Sequence, residues 1–158
     1  MNTKTADQWF AAYGESHQHQ TNALIHWICV PLIFLSVLGL LWSLPVPAAL
    51  ADSMPGFRWT IPAIALALIF YVRLSVPLAV GLLLFILFCL LAIHRLALLA
   101  PVPVWQICLA LFVLAWIGQF IGHRIEGKRP SFFQDVQFLL IGPAWLLGQL
   151  YRKLGVRY

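Results

Sequence analysis

From Ala23 to Gly122 only four charged side chains interrupt the chain: Asp52, Arg58, Arg73 and Arg95. The apolar residues between them gather into runs of about twenty, long enough as helix to cross the ~30 Å hydrocarbon core of a bilayer. In lipid a segment must satisfy its own backbone amides, and runs of this length do so as helix. The sequence therefore predicts an all-α fold, a multi-pass membrane helix bundle forming one domain over residues 1–158. Composition agrees: 62% of the residues are apolar and 9% charged, where roughly a quarter charged is usual for a soluble domain.

Four spans are predicted, over about 23–44, 58–73, 76–98 and 102–122. The Pro- and Gly-containing stretch from Pro45 to Gly56 joins the first two. Arg73, Ser75 and Pro77 mark a tight turn, and Pro101 and Pro103 lead into the fourth span. Residues 5–14 read as an N-terminal interfacial helix. Thr5 and Gln8 make a capping box, and Trp9, Phe10 and Tyr13 supply rings for headgroup depth. The first twenty residues are polar, so no cleavable signal peptide is expected and the first span serves for insertion.

The last apolar run, 136–151, is interrupted by Gly142-Pro143 and is expected to be broken or re-entrant, without crossing. Four spans with both termini cytoplasmic put Lys4, Arg73, Arg124, Lys128, Arg129, Arg152, Lys153 and Arg157 inside, and only Arg58 and Arg95 outside. A fifth crossing would move Arg152, Lys153 and Arg157 out, against the positive-inside rule. The net charge of +5 thus reads as membrane orientation. No basic stripe of a nucleic-acid binder is present. Cys29, Cys89 and Cys108 lie within apolar runs without CxxC spacing and read as buried, inert thiols.

Chemistry collects at two polar edges, Tyr13 to Pro31 (YGESHQHQTNALIHWICVP) and Gly118 to Pro130 (GQFIGHRIEGKRP). The predicted topology brings both to one membrane face, whereas His94 ends the third span on the other face. His19 and His26, seven apart, share a side of an unbroken helix. His17 and His26, nine apart, converge only if the chain breaks near Thr21-Asn22, both good N-cap residues. Asn22 and His26 share a face, as do Gln119, His123 and Glu126, and Gly118-x-x-x-Gly122 permits a close helix neighbour. His17, His26 and His123 are the candidate metal ligands, with His19 and Glu126 as further possibilities and Asn22 and Gln119 behind them. Neutral imidazoles suit iron, zinc or copper. Arg124, Lys128 and Arg129 are candidates to hold a substrate carboxylate. On these residues alone three readings stand: a metal enzyme, a haem-binding electron carrier with His26 and His123 as axial ligands, and a non-catalytic protein stapled by a polar network.

The same residues carry a family resemblance. Tyr13-x-x-x-His17, Asn22, Leu24-Ile25-His26 and Val30-Pro31, then Gln119-Phe120-Ile121-Gly122-His123, Glu126 and a basic pair before Pro130, resemble the membrane 2-hydroxy fatty acid dioxygenases of fatty-acid α-oxidation. A looser match surrounds Pro143. The resemblance covers nearly the whole chain. It implies an Fe(II)-dependent enzyme that uses O₂ to remove the carboxyl carbon of a 2-hydroxy fatty acid, with His17, His26 and His123 as metal ligands. Two departures stand out: Gln18 occupies the place of an adjacent histidine in some members, and the segment around Glu126 is one residue shorter than in eukaryotic members. A compact chain of this kind suits a bacterial inner membrane.

Overall fold

The computed structural model describes residues 5–127 and 139–158, and among them the secondary structure is entirely helical. Seven helices follow one another: α1 Ala6–Gly14, α2 Gln20–Ser43, α3 Ala48–Ser53, α4 Thr60–Leu74, α5 Val76–Leu99, α6 Val104–Ile125 and α7 Ile141–Lys153.

Local chemistry explains where they begin and end. Thr5 and Gln8 close the predicted box at the start of α1: the Gln8 N–H donates to Thr5 Oγ1 at 3.3 Å and the Thr5 N–H to Gln8 Oε1 at 3.0 Å. The capping pair satisfies amides that no preceding turn can reach. Helix α2 starts two residues earlier than Thr21-Asn22, because His19 is its N-cap and its Nδ1 accepts from the Thr21 N–H at 3.2 Å. Ser75 both ends α4 and starts α5. Its N–H donates to Tyr71 O at 2.9 Å and its Oγ accepts from the Leu78 N–H at 3.4 Å, and Pro77 follows in the first turn of α5.

Helices α2, α5 and α6 are each long and apolar enough to cross a membrane. The 15 residues of α4 extend only about 22 Å, short of a full hydrocarbon core. Three of the four predicted spans therefore have full length. The expected second span begins later than Arg58 because the residues before Thr60 are tied back to the end of α2. Arg58 Nη1 donates to Trp42 O at 3.3 Å, and Trp59 Nε1 to Pro45 O at 3.1 Å. Large side chains such as Leu66, Leu84, Phe88 and Leu114 remain exposed around the outside. An apolar belt of this kind is what lipid covers, and the chain is a membrane protein.

The tightest pair is α2 and α6, which run antiparallel. Gly122 faces Asn22, Gly118 faces Cys29 and Gly39 faces Cys108, and in each case an added Cβ would run into the partner side chain. The predicted glycine motif on α6 thus has α2 as its neighbour. The hairpin α4–α5 packs on the rest through Phe34, Leu38 and Ile86. Helix α7 is 13 residues long and lies against α1, α2 and α5. Residues 136–138 of the last apolar run fall outside the described residues. Within α7, Gly142-Pro143 opens the helix rather than interrupting it, since a proline in a first turn forfeits no intrahelical bond. The Tyr71 hydroxyl donates to Leu140 O at 2.9 Å and the Tyr151 hydroxyl to Pro77 O at 3.1 Å. These bonds hold α7 across the α4–α5 turn, at the end of the bundle where α1 also lies.

Candidate metal centre

Three histidines meet at that end. His17 sits in the turn between α1 and α2, His26 lies two turns into α2, and His123 belongs to the last turn of α6. All are buried, at 8%, 1% and 5% exposure, where an unpartnered ionisable group is costly. One nitrogen from each lies within 4.8 Å of the others. The ring centroids are 4.1 Å (His17–His26), 5.1 Å (His26–His123) and 5.5 Å (His17–His123) apart.

The convergence follows from the break between α1 and α2. The His17 N–H donates to Gly14 O at 3.0 Å, turning the chain back so that His17 leaves the helical register of α2. Its ring then stacks on Tyr13, with centroids 4.2 Å apart and planes at 12°. His17 Nδ1 lies 2.6 Å from Tyr13 O, and His26 Nδ1 lies 3.0 Å from Asn22 O. A carbonyl can only accept, so Nδ1 carries the proton in both rings and Nε2 keeps its lone pair. Metal-binding imidazoles are oriented in this way by the groups behind them.

The residues present fit a metal ion. Three inward-facing imidazoles, two of them in a fixed tautomer, form a neutral nitrogen donor set suited to iron, zinc or copper. The same geometry argues against a haem held between His26 and His123, because the His17 ring stands 4.1 Å from the first and 5.5 Å from the second, where a macrocycle would have to spread.

Other predicted residues take different places. His19 is exposed at the N-cap of α2. Glu126, just past α6, turns its carboxylate toward the start of α2: Oε1 accepts from the Gln18 N–H at 2.8 Å, and Oε2 from the His19 N–H at 2.9 Å and Asn22 Nδ2 at 3.1 Å. The position suits an anion, since a helix N-terminus presents free N–H groups and a partial positive charge. Burial pushes the Glu126 carboxyl up, but the bonds from His19, Asn22 and Gln18 outweigh it and hold it below the usual carboxylate range. Asn22 also donates to Ser16 O at 2.9 Å, so one amide ties the α1–α2 turn to the end of α6. Gln119 is buried beside His26, and its Nε2 is a buried donor with no partner among the described residues. Arg124 is exposed beside His123. Lys128 and Arg129 lie outside the described residues.

Sequence reasoning missed one wall of the site. Trp145 of α7 approaches His17 to 5.4 Å and Tyr13 to 5.1 Å between ring centroids. A tryptophan in an apolar run carries no signal that it faces a histidine more than a hundred residues away.

Residues 3–154 match the family described as "2-hydroxy-palmitic acid dioxygenase Mpo1-like". Over 143 residues, 88% of this chain and 75% of its relative, the sequence is 32% identical to the 2-hydroxy-palmitic acid dioxygenase MPO1 of Saccharomyces cerevisiae. No solved structure matches the chain.

Proposed function

This chain belongs to the 2-hydroxy-palmitic acid dioxygenase Mpo1-like family, and from that premise we propose that it is an Fe(II)-dependent dioxygenase of 2-hydroxy fatty acids that shortens its substrate by one carbon. The observation that carries the reading is the buried cluster of His17, His26 and His123, with nitrogens converging within 4.8 Å.

His17, His26 and His123 would hold the iron through Nε2 of His17 and His26 and one ring nitrogen of His123. When bound, the metal supplies a Lewis acid for the substrate head and a site at which O₂ is activated. Three neutral ligands leave its positive charge uncompensated, which favours a substrate whose head is an anion. A 2-hydroxy carboxylate answers that demand and can offer two oxygens. In the overall reaction C2 becomes the new carboxyl carbon, the old carboxyl carbon leaves as CO₂, and O₂ takes up the electrons and ends in acid, CO₂ and water.

The surrounding residues supply orientation. Tyr13 and Trp145 fix the His17 ring by stacking and a tilted ring contact, and the Tyr13 and Asn22 carbonyls hold Nδ1 protons away from the metal face. Gln119 Nε2 is available as a donor to a substrate oxygen at the site. Arg124, with Lys128 and Arg129, would draw the carboxylate to the membrane surface.

The test is O₂ uptake by the purified, Fe(II)-loaded protein with a long-chain 2-hydroxy acid and with its unhydroxylated parent. Uptake with the hydroxy acid alone, and a product one carbon shorter, is the expected result. Equal uptake with both acids, or none with iron bound, overturns the substrate assignment.

A further inference from the structure

Helix α2 presents one stripe along which two cavities open in succession. Val30 and Ile33 line the first, together with Tyr13, Trp116 and Gln119. Val37 and Leu41 line the second, together with Ala63 and Ala67 of α4. Spacings of three, four and four residues put Val30, Ile33, Val37 and Leu41 on one side of the helix. Leu139 borders both cavities, so the two adjoin across its side chain. The near end is polar: Tyr13 stacks on His17, and Gln119 lies beside His26. Everything beyond Gln119 is apolar.

Length and chemistry point to one occupant. From Val30 to Leu41 the stripe rises about 16 Å along α2. One leaflet of a ~30 Å hydrocarbon core, the reach of a lipid acyl chain, is about 15 Å. The cavities hold about 30 Å³ and 80 Å³, room for only a few methylenes as they stand. The second, however, opens along the contact of α2 with α4, which is slight beside that of α2 with α6. On α4 the facing residues Ala63 and Ala67 are small, so this seam can widen around a chain at little cost in packing. A further apolar recess, between Trp27, Phe85 and Leu146, is bordered by neither Gln119 nor any of the three histidines.

We propose that the substrate's acyl tail passes Val30 and Ile33 in the cavity beside Trp116 and Gln119 of α6 and then enters the seam between α2 and α4 along Val37 and Leu41, and that Ala67, Ala63 and Leu41 determine the chain length accepted. This rests on reading the histidine cluster as the place where the 2-hydroxy acid head reacts. Because α4 runs back toward the site, Ala67 stands nearer the histidines than Ala63, and Leu41 marks the far end. The three positions therefore measure three depths.

The experiment compares wild type with Ala67→Phe, Ala63→Phe and Leu41→Ala in the iron-loaded full chain. It follows O₂ uptake over a series of saturated 2-hydroxy acids, with iron content as the control for folding. In parallel, unhydroxylated acids of the same lengths compete with a fluorescent fatty acid for the metal-free protein. Ala67→Phe should move the optimum to the shortest chains and Ala63→Phe less far, with about tenfold lost for each methylene that no longer fits. Leu41→Ala should extend the range to longer chains, a gain that mere destabilisation does not produce. Unchanged length profiles in all three variants overturn the seam. If wild type binds but oxidises nothing, a shifted binding profile upholds the seam while the dioxygenase reading falls. An unshifted binding profile overturns the seam in that case too.

Discussion

His17 and His26 stand nine residues apart, and on one continuous helix they would point in opposite directions. The sequence makes a break between them necessary for any shared site, but not its position. The break falls at Glu15–His19 because the Tyr13 and Gly14 carbonyls take up the turn while His19 caps the next helix. That use of His19 was not legible, since one histidine serves equally as ligand, cap or surface residue until its neighbours are known. Of the three clustered rings, His123 is the cleanest to remove, as it closes α6 and leaves the α1–α2 turn alone. His123→Ala should keep the helical circular dichroism of the wild type and lose at least tenfold in bound iron, with turnover falling below detection. Bound iron at wild-type stoichiometry would remove His123 from the centre.

Glu126 gives a second prediction at this scale, through pH. Its carboxyl sits below the usual range because the ionised form accepts from His19, Asn22 and Gln18. A group depressed in the fold stabilises it at pH above the unfolded value, about 4.3 for glutamate, and the benefit disappears as pH falls through the lower folded value. Thermal stability of the wild type should therefore exceed that of Glu126→Gln above about pH 5, the difference closing under more acid conditions. A gap of constant size from pH 7 to pH 3.5 would mean that the charge plays no part in the clasp. The partners of Glu126 lie more than a hundred residues away in sequence. Sequence reading leaves it a salt-bridge partner of its basic neighbours or a ligand, and only the antiparallel docking of α2 on α6 decides its use.

Among the elements, the α2–α6 pair was the most legible, because its cause is local: small residues at Gly118 and Gly122 let another backbone approach. The identity of that neighbour came from topology. In a solvent-facing helix Gly→Ala gains up to about 1 kcal/mol from propensity. At Gly122 a Cβ meets the Asn22 side chain, the same amide that bonds Ser16 and Glu126. Gly122→Ala should therefore destabilise by about 1–3 kcal/mol and weaken iron binding as well, because it pushes on the segment that carries His17. A Gly122→Ala protein that melts higher and holds iron as the wild type does would show the approach to be slack. Helix α4 begins two residues later than the predicted span for an equally local reason. Its hydropathy continues through Phe57 and Trp59, whereas the backbone there is tied to Trp42 and Pro45 by side chains whose reach periodicity does not report.

At the scale of the whole molecule, one end of the bundle gathers the α4–α5 turn, α1, α7 and the three clustered histidines, and the other gathers α3 with Arg58 and Arg95. Phe10 of α1 and Tyr158 at the end of the chain meet with ring centroids 5.8 Å apart, so α1 and Tyr158 lie on the same side. The basic side chains Arg73, Arg124, Arg152 and Lys153 collect at that end as well, which the positive-inside rule assigns to the cytoplasm. Reporters fused before residue 1 and after residue 158 should both read cytoplasmic, and one inserted at the exposed Met54 should read the opposite side. Opposite readings for the two termini would require an odd number of crossings, which means a short α4 that does not cross or an α7 that does. Either result would separate α1 from α7 and open the wall that Trp145 builds against His17. The sidedness of the chain ends is thus also a test of the centre, because the arrangement that buries the histidines exists only if both ends return to one face.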